Sequence, residues 1–169
     1  EMTPESLVVI DLEGNIVEGT NHPTSEKEVH RQIYLRREDA GMIIHAHTKK
    51  AMAVSVRKIR EVPCLVEEMS QLIGGGIPIT PQYVPAEQHF QLGTAAAENI
   101  GNRNGVILRN HGPVAVGRNP EEAVLMVEVI EKACEIFLDQ GQMFYAPIPQ
   151  CYIDSERYRY LYKYGNEKT

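Results

Sequence analysis

Two histidines separated by one residue form the part of the sequence that most clearly suggests chemistry. They are His45 and His47, and they end a short apolar run over residues 42–47 that predicts a buried strand. Side chains at positions i and i+2 of a strand point to the same face, so His45 and His47 are predicted to be neighbours. Paired neutral imidazoles are good zinc ligands, although two polar residues at an exposed strand end would give the same pattern.

A third histidine, His111, lies in a tight turn between two apolar runs, residues 105–108 and 113–116, that predict strands. Such a turn can hold one imidazole rigidly at the rim of a sheet, or the imidazole can simply bond to nearby carbonyl groups. Combined with His45 and His47, His111 would complete the three protein ligands of a catalytic zinc site, which leaves one coordination position open.

An acidic residue at a predicted helix start is the fourth candidate. Ser25 is predicted to be an N-cap with Glu28 as its capping-box partner, and Glu26 follows it directly. Acidic residues in a first helical turn commonly interact only with the helix dipole, but a carboxylate there can also bind a metal or act as a catalytic base. The hydroxyl groups of Thr24 and Ser25, beside the N–H groups of a helix start, can hold an anion such as phosphate.

Two adjacent acidic residues, Glu67 and Glu68, follow a predicted strand over residues 63–66. They form either a solvated pair or, if one of them faces the metal, an acid–base group. Because neighbouring strand residues face opposite ways, only one of the two carboxylates would reach such a site. The glycine triplet at 74–76 lacks the G-K-[ST] continuation of a P-loop, so it predicts a turn rather than a nucleotide site.

The remaining pattern predicts the elements that position these residues. Strand and helix patterns interleave, which is typical of an α/β protein, and short connections between strands favour a mixed, largely antiparallel sheet. Helices are predicted at about residues 25–37, 49–58, 86–100 and 119–140, the last with Asn119 as its N-cap and Pro120 at its first position. A tail rich in tyrosine follows, with Tyr152, Tyr158, Tyr160, Tyr162 and Tyr164.

The composition restricts the class of protein and its partners. A length of 169 residues fits one domain, and 43% hydrophobic and 24% charged residues are typical of a soluble globular protein. The net charge of -6 and the lack of a basic run argue against a nucleic-acid partner. Three cysteines without C-x-x-C spacing predict no disulfide framework and a cytoplasmic location. No apolar run approaches the ~18 residues of a membrane span, and no signal peptide is visible.

Taken together, these residues resemble the class II aldolase/adducin family. The resemblance covers about residues 3–140, and its motifs are specific jointly rather than singly. They are Thr3-Pro4 before the first strand, Pro23-Thr24-Ser25-Glu26 followed by His30, Ile44-His45-Ala46-His47, and Asn110-His111-Gly112-Pro113.

The resemblance implies a three-layer α/β/α sandwich and a homotetramer with sites between subunits. It implies that the imidazoles of His45, His47 and His111 bind zinc. Glu26 would be a ligand in the resting state and a base during turnover, and Thr24 and Ser25 would hold the phosphate of a small sugar-phosphate substrate.

The activity implied first is a lyase reaction of the fuculose-phosphate aldolase type. It is the retro-aldol cleavage of a ketose 1-phosphate to dihydroxyacetone phosphate and a small aldehyde. A sugar-phosphate 4-epimerase or a methylthioribulose-1-phosphate dehydratase would use the same metal site. A non-catalytic, adducin-like interaction module is the alternative of another class, but such a module has no need for three histidines and a glutamate.

Two departures from the family pattern affect the details. The family's G-N-[ILV]-S stretch and T-G turn, which contact phosphate, are not found, so residues 1–169 are expected to form a single domain without the family's N-terminal segment. Fuculose-phosphate aldolase also has a catalytic tyrosine where this sequence has Glu68, whereas the dehydratase branch is similar to Glu68-Met69 at that place. The second acid–base group is therefore Glu68 or a tyrosine of the C-terminal tail, which resembles a segment that reaches a neighbouring site.

Overall fold

The computed structural model describes residues 3–140 and 145–163. The described helices are α1 (Lys27–Tyr34), α2 (Lys49–Ser55), α3 (His89–Ile100), α4 (Pro120–Asp139) and α5 (Gln150–Tyr162). The described strands are β1 (Val9–Ile10), β2 (Ile16–Glu18), β3 (Met42–His45), β4 (Glu61–Val62), β5 (Ile77–Pro78), β6 (Gly105–Ile107) and β7 (Pro113–Gly117). A 3₁₀ turn at Pro4–Ser6 precedes β1, and a π-helix spans Met69–Ile73.

The central sheet contains β3, β7 and β6 in that order, and both pairings are antiparallel. β7 lies in the middle, and all five of its residues are buried. A strand that is covered on both faces needs such a continuous apolar run, which is why its sequence does not alternate with polar residues. The β4–β5 pair joins this sheet through a parallel bridge between Ile79 and Ile107, so the sheet is mixed and largely antiparallel, as predicted.

Side chains of β7 alternate between two apolar cores. Val114 and Val116 face a core that contains residues of α1 and α3, whereas Ala115 faces a core that contains residues of α2, α4 and the π-helix. Helices therefore cover both faces of the sheet, and the predicted α/β/α sandwich is confirmed. Gly93 lets α3 lie close to α1, because a Cβ atom at this position would lie 2.3 Å from the backbone oxygen of Glu28.

The strand predicted over residues 63–66 is wrong. The strand is β4, which ends at Val62, because Pro63 has no N–H group with which to extend the ladder. The Cys64 carbonyl instead accepts a hydrogen bond from the N–H of Ile148 (2.8 Å). Glu67 and Glu68 consequently lie on a helical turn that leads into the π-helix and not at a strand end.

Three of the predicted helices have different bounds, and one helix was not predicted. α1 spans Lys27–Tyr34 rather than residues 25–37. α2 ends at Ser55 rather than near residue 58, because the guanidinium of Arg109 donates hydrogen bonds to the carbonyls of the following loop, including that of Ile59 (2.7 Å). α3 begins at His89 rather than at residue 86. The tail expected only to be rich in tyrosine forms α5, and Tyr164 lies outside the described residues.

A buried carboxylate connects α5 to the rest of the fold. Glu122, in the first turn of α4, accepts hydrogen bonds from the backbone N–H of Arg118 (2.5 Å), the Arg118 guanidinium (2.7 Å) and the Tyr160 hydroxyl (2.6 Å). Burial acts to raise the pKa of Glu122, but these hydrogen bonds and the Arg118 charge outweigh it and lower the pKa to about 2.

Replacing Glu122 should destabilise the protein in a pH-dependent way. We expect Glu122→Gln to lower the free energy of unfolding by about 2 kcal/mol at neutral pH, since hydrogen bonds to charged groups contribute about 1.5–3 kcal/mol. The pKa of Glu122 is lower in the folded protein than its ordinary 4.5. Its contribution is therefore complete above about pH 4.5 and is lost as the pH falls towards 2.

Urea unfolding at pH 7 and pH 3 measures this difference. The neighbouring and exposed Glu121 provides the control, because Glu121→Gln should change little at either pH. A Glu122→Gln deficit that is as large at pH 3 as at pH 7 would contradict the assignment.

Candidate metal centre

Three imidazoles and one carboxylate converge at one end of the central sheet. They belong to Glu26, His45, His47 and His111, and one candidate ligand atom from each lies within 4.8 Å of the others. The Nε2 atom of His111 is 3.4 Å from that of His45 and 3.0 Å from that of His47. The Glu26 carboxylate lies 3.3 Å from His45 Nε2 and 3.1 Å from His111 Nε2. The residues that sequence analysis selected from three separate segments therefore form one cluster.

His45 is the last residue of β3, and its ring is oriented by the neighbouring strand. Its Nδ1 atom lies 2.9 Å from the carbonyl oxygen of Pro113, the first residue of β7. A carbonyl oxygen can only accept a hydrogen bond, so this contact requires the proton on Nδ1 and leaves the Nε2 lone pair directed into the cluster. Such an outer hydrogen bond is what metal-binding histidines usually have.

His111 is held by the turn between β6 and β7. Asn110 adopts a left-handed conformation (φ 56°), and Gly112 lies so close to the residues after β3 that a Cβ atom there would be 2.3 Å from the Ala46 carbonyl oxygen. Since only glycine fits this approach, Gly112 brings the turn and its imidazole against the segment that carries His45 and His47.

His47 reaches the cluster for a reason other than the one predicted. β3 ends at His45, so His47 lies on the connection to α2, and the rule that residues i and i+2 of a strand share a face does not apply to it. The two rings are nevertheless neighbours, with centroids 5.1 Å apart.

Glu26 directly precedes α1, and its carboxylate points to the imidazoles rather than to the helix N–H groups. The capping box predicted for Ser25 and Glu28 is wrong, because α1 begins later, at Lys27. Glu28 instead pairs with Arg31 (2.9 Å). The Ser25 side chain is exposed, and Thr24 Oγ1 accepts a 3.3 Å hydrogen bond from the backbone N–H of Glu26.

The donor set fits a tetrahedral metal ion. Donors about 2.0–2.1 Å from such an ion lie about 3.3 Å from one another. His111 Nε2 lies 3.0 to 3.4 Å from the other two imidazoles and from Glu26, His45 Nε2 lies 3.3 Å from Glu26, and all four candidate ligand atoms lie within 4.8 Å of one another. Burial lowers the pKa of both the His45 and the His111 imidazoles, and it outweighs the opposing effect of the Glu26 charge. The fold therefore favours the neutral imidazoles that a metal requires.

Glu68 lies outside the group of four. Its carboxylate forms an ion pair with Lys132 of α4 (2.6 Å), and its side chain is 46% exposed. Among the tail tyrosines, Tyr160 is bound to Glu122, whereas Tyr152, Tyr158 and Tyr162 are exposed on α5.

The carbonyl of Pro113 is a part of the site that sequence reasoning missed. A backbone oxygen leaves no signal in the residue types. Only the strand register of β3 against β7 reveals it.

Comparisons with known proteins show the family and the fold of the chain. Residues 1–138 match the family model of the class II aldolase and adducin N-terminal domain, and the chain belongs to this family. The 5-deoxy-D-ribulose 1-phosphate aldolase of Bacillus thuringiensis serovar kurstaki is 31% identical over 137 residues, which cover 81% of this chain and 62% of that protein. The chain thus spans less than two thirds of that relative's length.

Solved structures show the same fold. An L-fuculose 1-phosphate aldolase matches with a TM-score of 0.88 and 27% identity over 96% of this chain and 75% of its own. The L-fuculose-1-phosphate aldolase from Thermus thermophilus matches with a TM-score of 0.64 and 30% identity over 82% of this chain and 71% of its own.

Removing one imidazole should abolish metal binding. We expect the protein to be purified with close to one metal ion per chain, and His111→Ala to lose it because only two imidazole ligands remain. His89→Ala is the matched control, since His89 is exposed at the start of α3 and should have no effect. Elemental analysis after purification without chelators makes the measurement. Full metal content in His111→Ala would argue against the site.

Proposed function

We propose that this chain is a zinc-dependent class II aldolase. It would cleave a ketose 1-phosphate by a retro-aldol reaction to dihydroxyacetone phosphate and a small aldehyde. The observation that carries the proposal is the convergence of the Glu26 carboxylate with three imidazole Nε2 atoms. Membership of the family and the names of its aldolase relatives support the reaction class.

Zinc suits the site because its donors are three imidazoles and one carboxylate, the mixture of nitrogen and oxygen that this ion commonly takes. When bound, the ion supplies Lewis-acid chemistry, in that it polarises the substrate's oxygen atoms and stabilises negative charge that develops on them. His45, His47 and His111 would hold it. Glu26 would hold it in the resting state and give up that role when substrate arrives.

Glu26 would handle the proton at C3 of the substrate. On leaving the metal, the Glu26 carboxylate would take up a proton from solvent. During cleavage the C3–C4 bond breaks, its electron pair passes to the dihydroxyacetone phosphate fragment, and the Glu26 carboxyl donates that proton to C3. In the condensation direction the same carboxylate removes that proton. A carboxylate positioned beside the reacting carbon is suited to this exchange.

A second group must accept the proton of the C4 hydroxyl as C4 becomes the aldehyde carbon. Glu68 and the exposed tyrosines of α5 are the candidates. Glu68 forms an ion pair with Lys132 (2.6 Å), and both side chains are about half exposed. Both protons exchange with solvent after turnover, so the enzyme returns to its starting state.

The substrate phosphate would bind to Thr24 and Ser25. The Ser25 hydroxyl is not used as a helix cap, and both side chains are exposed just before α1. The positive end of the helix dipole and the N–H groups of the first turn favour an anion there. Thr24 and Ser25 directly precede Glu26 in the sequence, so a ketose 1-phosphate held by its phosphate there would have its carbon chain near the Glu26 carboxylate.

We further propose a homotetramer in which α5 tyrosines approach a neighbouring site, supported by the exposure of Tyr152, Tyr158 and Tyr162. A cytoplasmic location is proposed from the free cysteines Cys64, Cys134 and Cys151. None of the helices within residues 3–140 and 145–163 has the length and hydrophobicity needed to cross a membrane.

The reaction can be tested with a coupled assay for dihydroxyacetone phosphate on the zinc-loaded protein. Suitable substrates are fuculose 1-phosphate, ribulose 1-phosphate, 5-deoxyribulose 1-phosphate and methylthioribulose 1-phosphate. Glu26→Gln should lower turnover by about 10²–10⁴-fold, because it removes the base. The variant should keep most of its zinc, since three imidazoles remain.

Glu68→Gln is measured in the same assay, with its exposed neighbour Glu67→Gln as the control. Lower turnover in Glu68→Gln alone would identify Glu68 as the second group, whereas equal rates in both variants would favour the tyrosines. Unchanged turnover in Glu26→Gln would show that Glu26 has no catalytic role and interacts only with the dipole of α1. Substrate consumption without dihydroxyacetone phosphate would point to epimerisation or dehydration instead.

A further inference from the structure

Among the candidate ligands, His47 has the fewest contacts that would fix the position of its ring. The residue is exposed and lies beyond the end of β3. Within the described residues, its Nδ1 atom has no hydrogen bond like the one that orients His45, and its ring contacts the other two imidazoles. The backbone around His47 must therefore fix where its ring lies.

That backbone leads directly into α2. Only Thr48 separates His47 from the first helical residue, and the Thr48 side chain does not cap the helix. The first N–H groups of a helix have no partners within it, so the start of α2 needs acceptors from elsewhere.

A carboxylate of α4 supplies those acceptors. Glu131 accepts hydrogen bonds from the backbone N–H of Lys50 through Oε1 (2.9 Å) and from that of Ala51 through Oε2 (3.0 Å). The two oxygens thus cap α2 from a residue 81 positions away from Lys50. The negative charge of Glu131 also interacts favourably with the positive end of the α2 dipole.

The helix that carries Glu131 also packs on the sheet. Ala51 of α2, Ala115 of β7 and several residues of α4 belong to one buried core. β7 in turn pairs with β3, whose last residue is His45. Glu131 therefore fixes the start of α2 relative to the same strands that hold His45 and the turn of His111.

We propose that Glu131 is a positioning residue of the metal centre. By capping α2 from α4, it holds His47 at the distance from His111 that a shared ion requires. This inference rests on the proposed function, because it concerns the metal that the proposed reaction uses.

Glu135 provides a matched control. It lies one turn further along α4 and also contacts Lys50, but through the ammonium group (2.9 Å) rather than the backbone. Glu135→Gln removes the same charge from the same helix and leaves both cap bonds in place. It therefore distinguishes capping from a general loss of negative charge.

The test measures zinc affinity by competition with a chelator, together with the visible absorption spectrum of the cobalt-substituted protein. Glu131→Gln should weaken zinc binding by about 10-fold, the lower end of what direct hydrogen-bond partners of metal ligands contribute, because Glu131 acts on His47 through the backbone. The intensity of the tetrahedral cobalt bands should fall as well. Glu135→Gln should leave both the affinity and the spectrum unchanged.

A second substitution should rescue the first. Asparagine is a good N-cap, and Thr48 already has the extended backbone of a cap residue (φ -80°, ψ 142°). Thr48→Asn in the Glu131→Gln background should therefore restore zinc affinity and the cobalt spectrum without restoring charge. A folded double variant that still binds zinc weakly would overturn the proposal.

The outcomes separate the two hypotheses. If the wild-type protein binds no zinc, the proposed function fails, and the Glu131 inference fails with it. If the wild-type protein binds zinc and Glu131→Gln binds it equally well with the same cobalt spectrum, only the positioning role is overturned. Thermal unfolding of the metal-free variants shows whether a lower affinity merely follows a loss of stability.

Discussion

The antiparallel pairing of β3 with β7 is the constraint on which the candidate metal centre depends. Its register places His45 opposite Val114, which brings the imidazole to the Pro113 carbonyl and to the turn that carries His111. A slip of one residue would turn His45 to the other face of the sheet. The register is fixed because Val114 and Ala115 face different cores, so a slipped strand would exchange a large side chain and a small one between two packed layers.

Charge and burial have opposite effects on the pKa values of the imidazoles gathered there. Desolvation lowers the pKa of the His45 and His111 imidazoles, so the neutral form that has a free lone pair is favoured. The Glu26 carboxylate acts in the opposite direction, and a divalent cation would satisfy it and the imidazoles at once. The Glu26 carboxylate lies 3.1 Å from His111 Nε2. Because a carboxylate can act both as a metal ligand and as a base, binding and catalysis are proposed for this one residue.

Sequence reasoning went furthest where a pattern is local. The strand residues around His45 and the Asn119 cap of α4, whose side chain accepts from the N–H of Glu122, could be predicted because their signals lie within a few positions. The prediction of a strand at 63–66 was wrong because the apolar residues there favour a strand, whereas Pro63 has no N–H group for the ladder. α5 was missed because its apolar residues do not repeat with helical periodicity, and its position depends on the distant Glu122.

The four residues that lie together, Glu26, His45, His47 and His111, could be selected from the sequence, whereas the contacts that position them could not. His47 was selected through a strand rule that its position does not obey, and it joins the cluster through the connection to α2. The Pro113 carbonyl and the Glu131 cap could not be predicted, because each pairs with a partner 68 to 81 positions away. Neither residue type by itself indicates such a contact. Long-range contacts of this kind can be identified only once the fold is known.

Zinc-edge X-ray absorption of the zinc-loaded protein tests the central claim most directly. We predict a four-coordinate ion with three imidazole nitrogens and one carboxylate oxygen, all at about 2.0–2.2 Å. Sulfur at about 2.3 Å, or a shell of oxygens without imidazole scattering, would contradict the account.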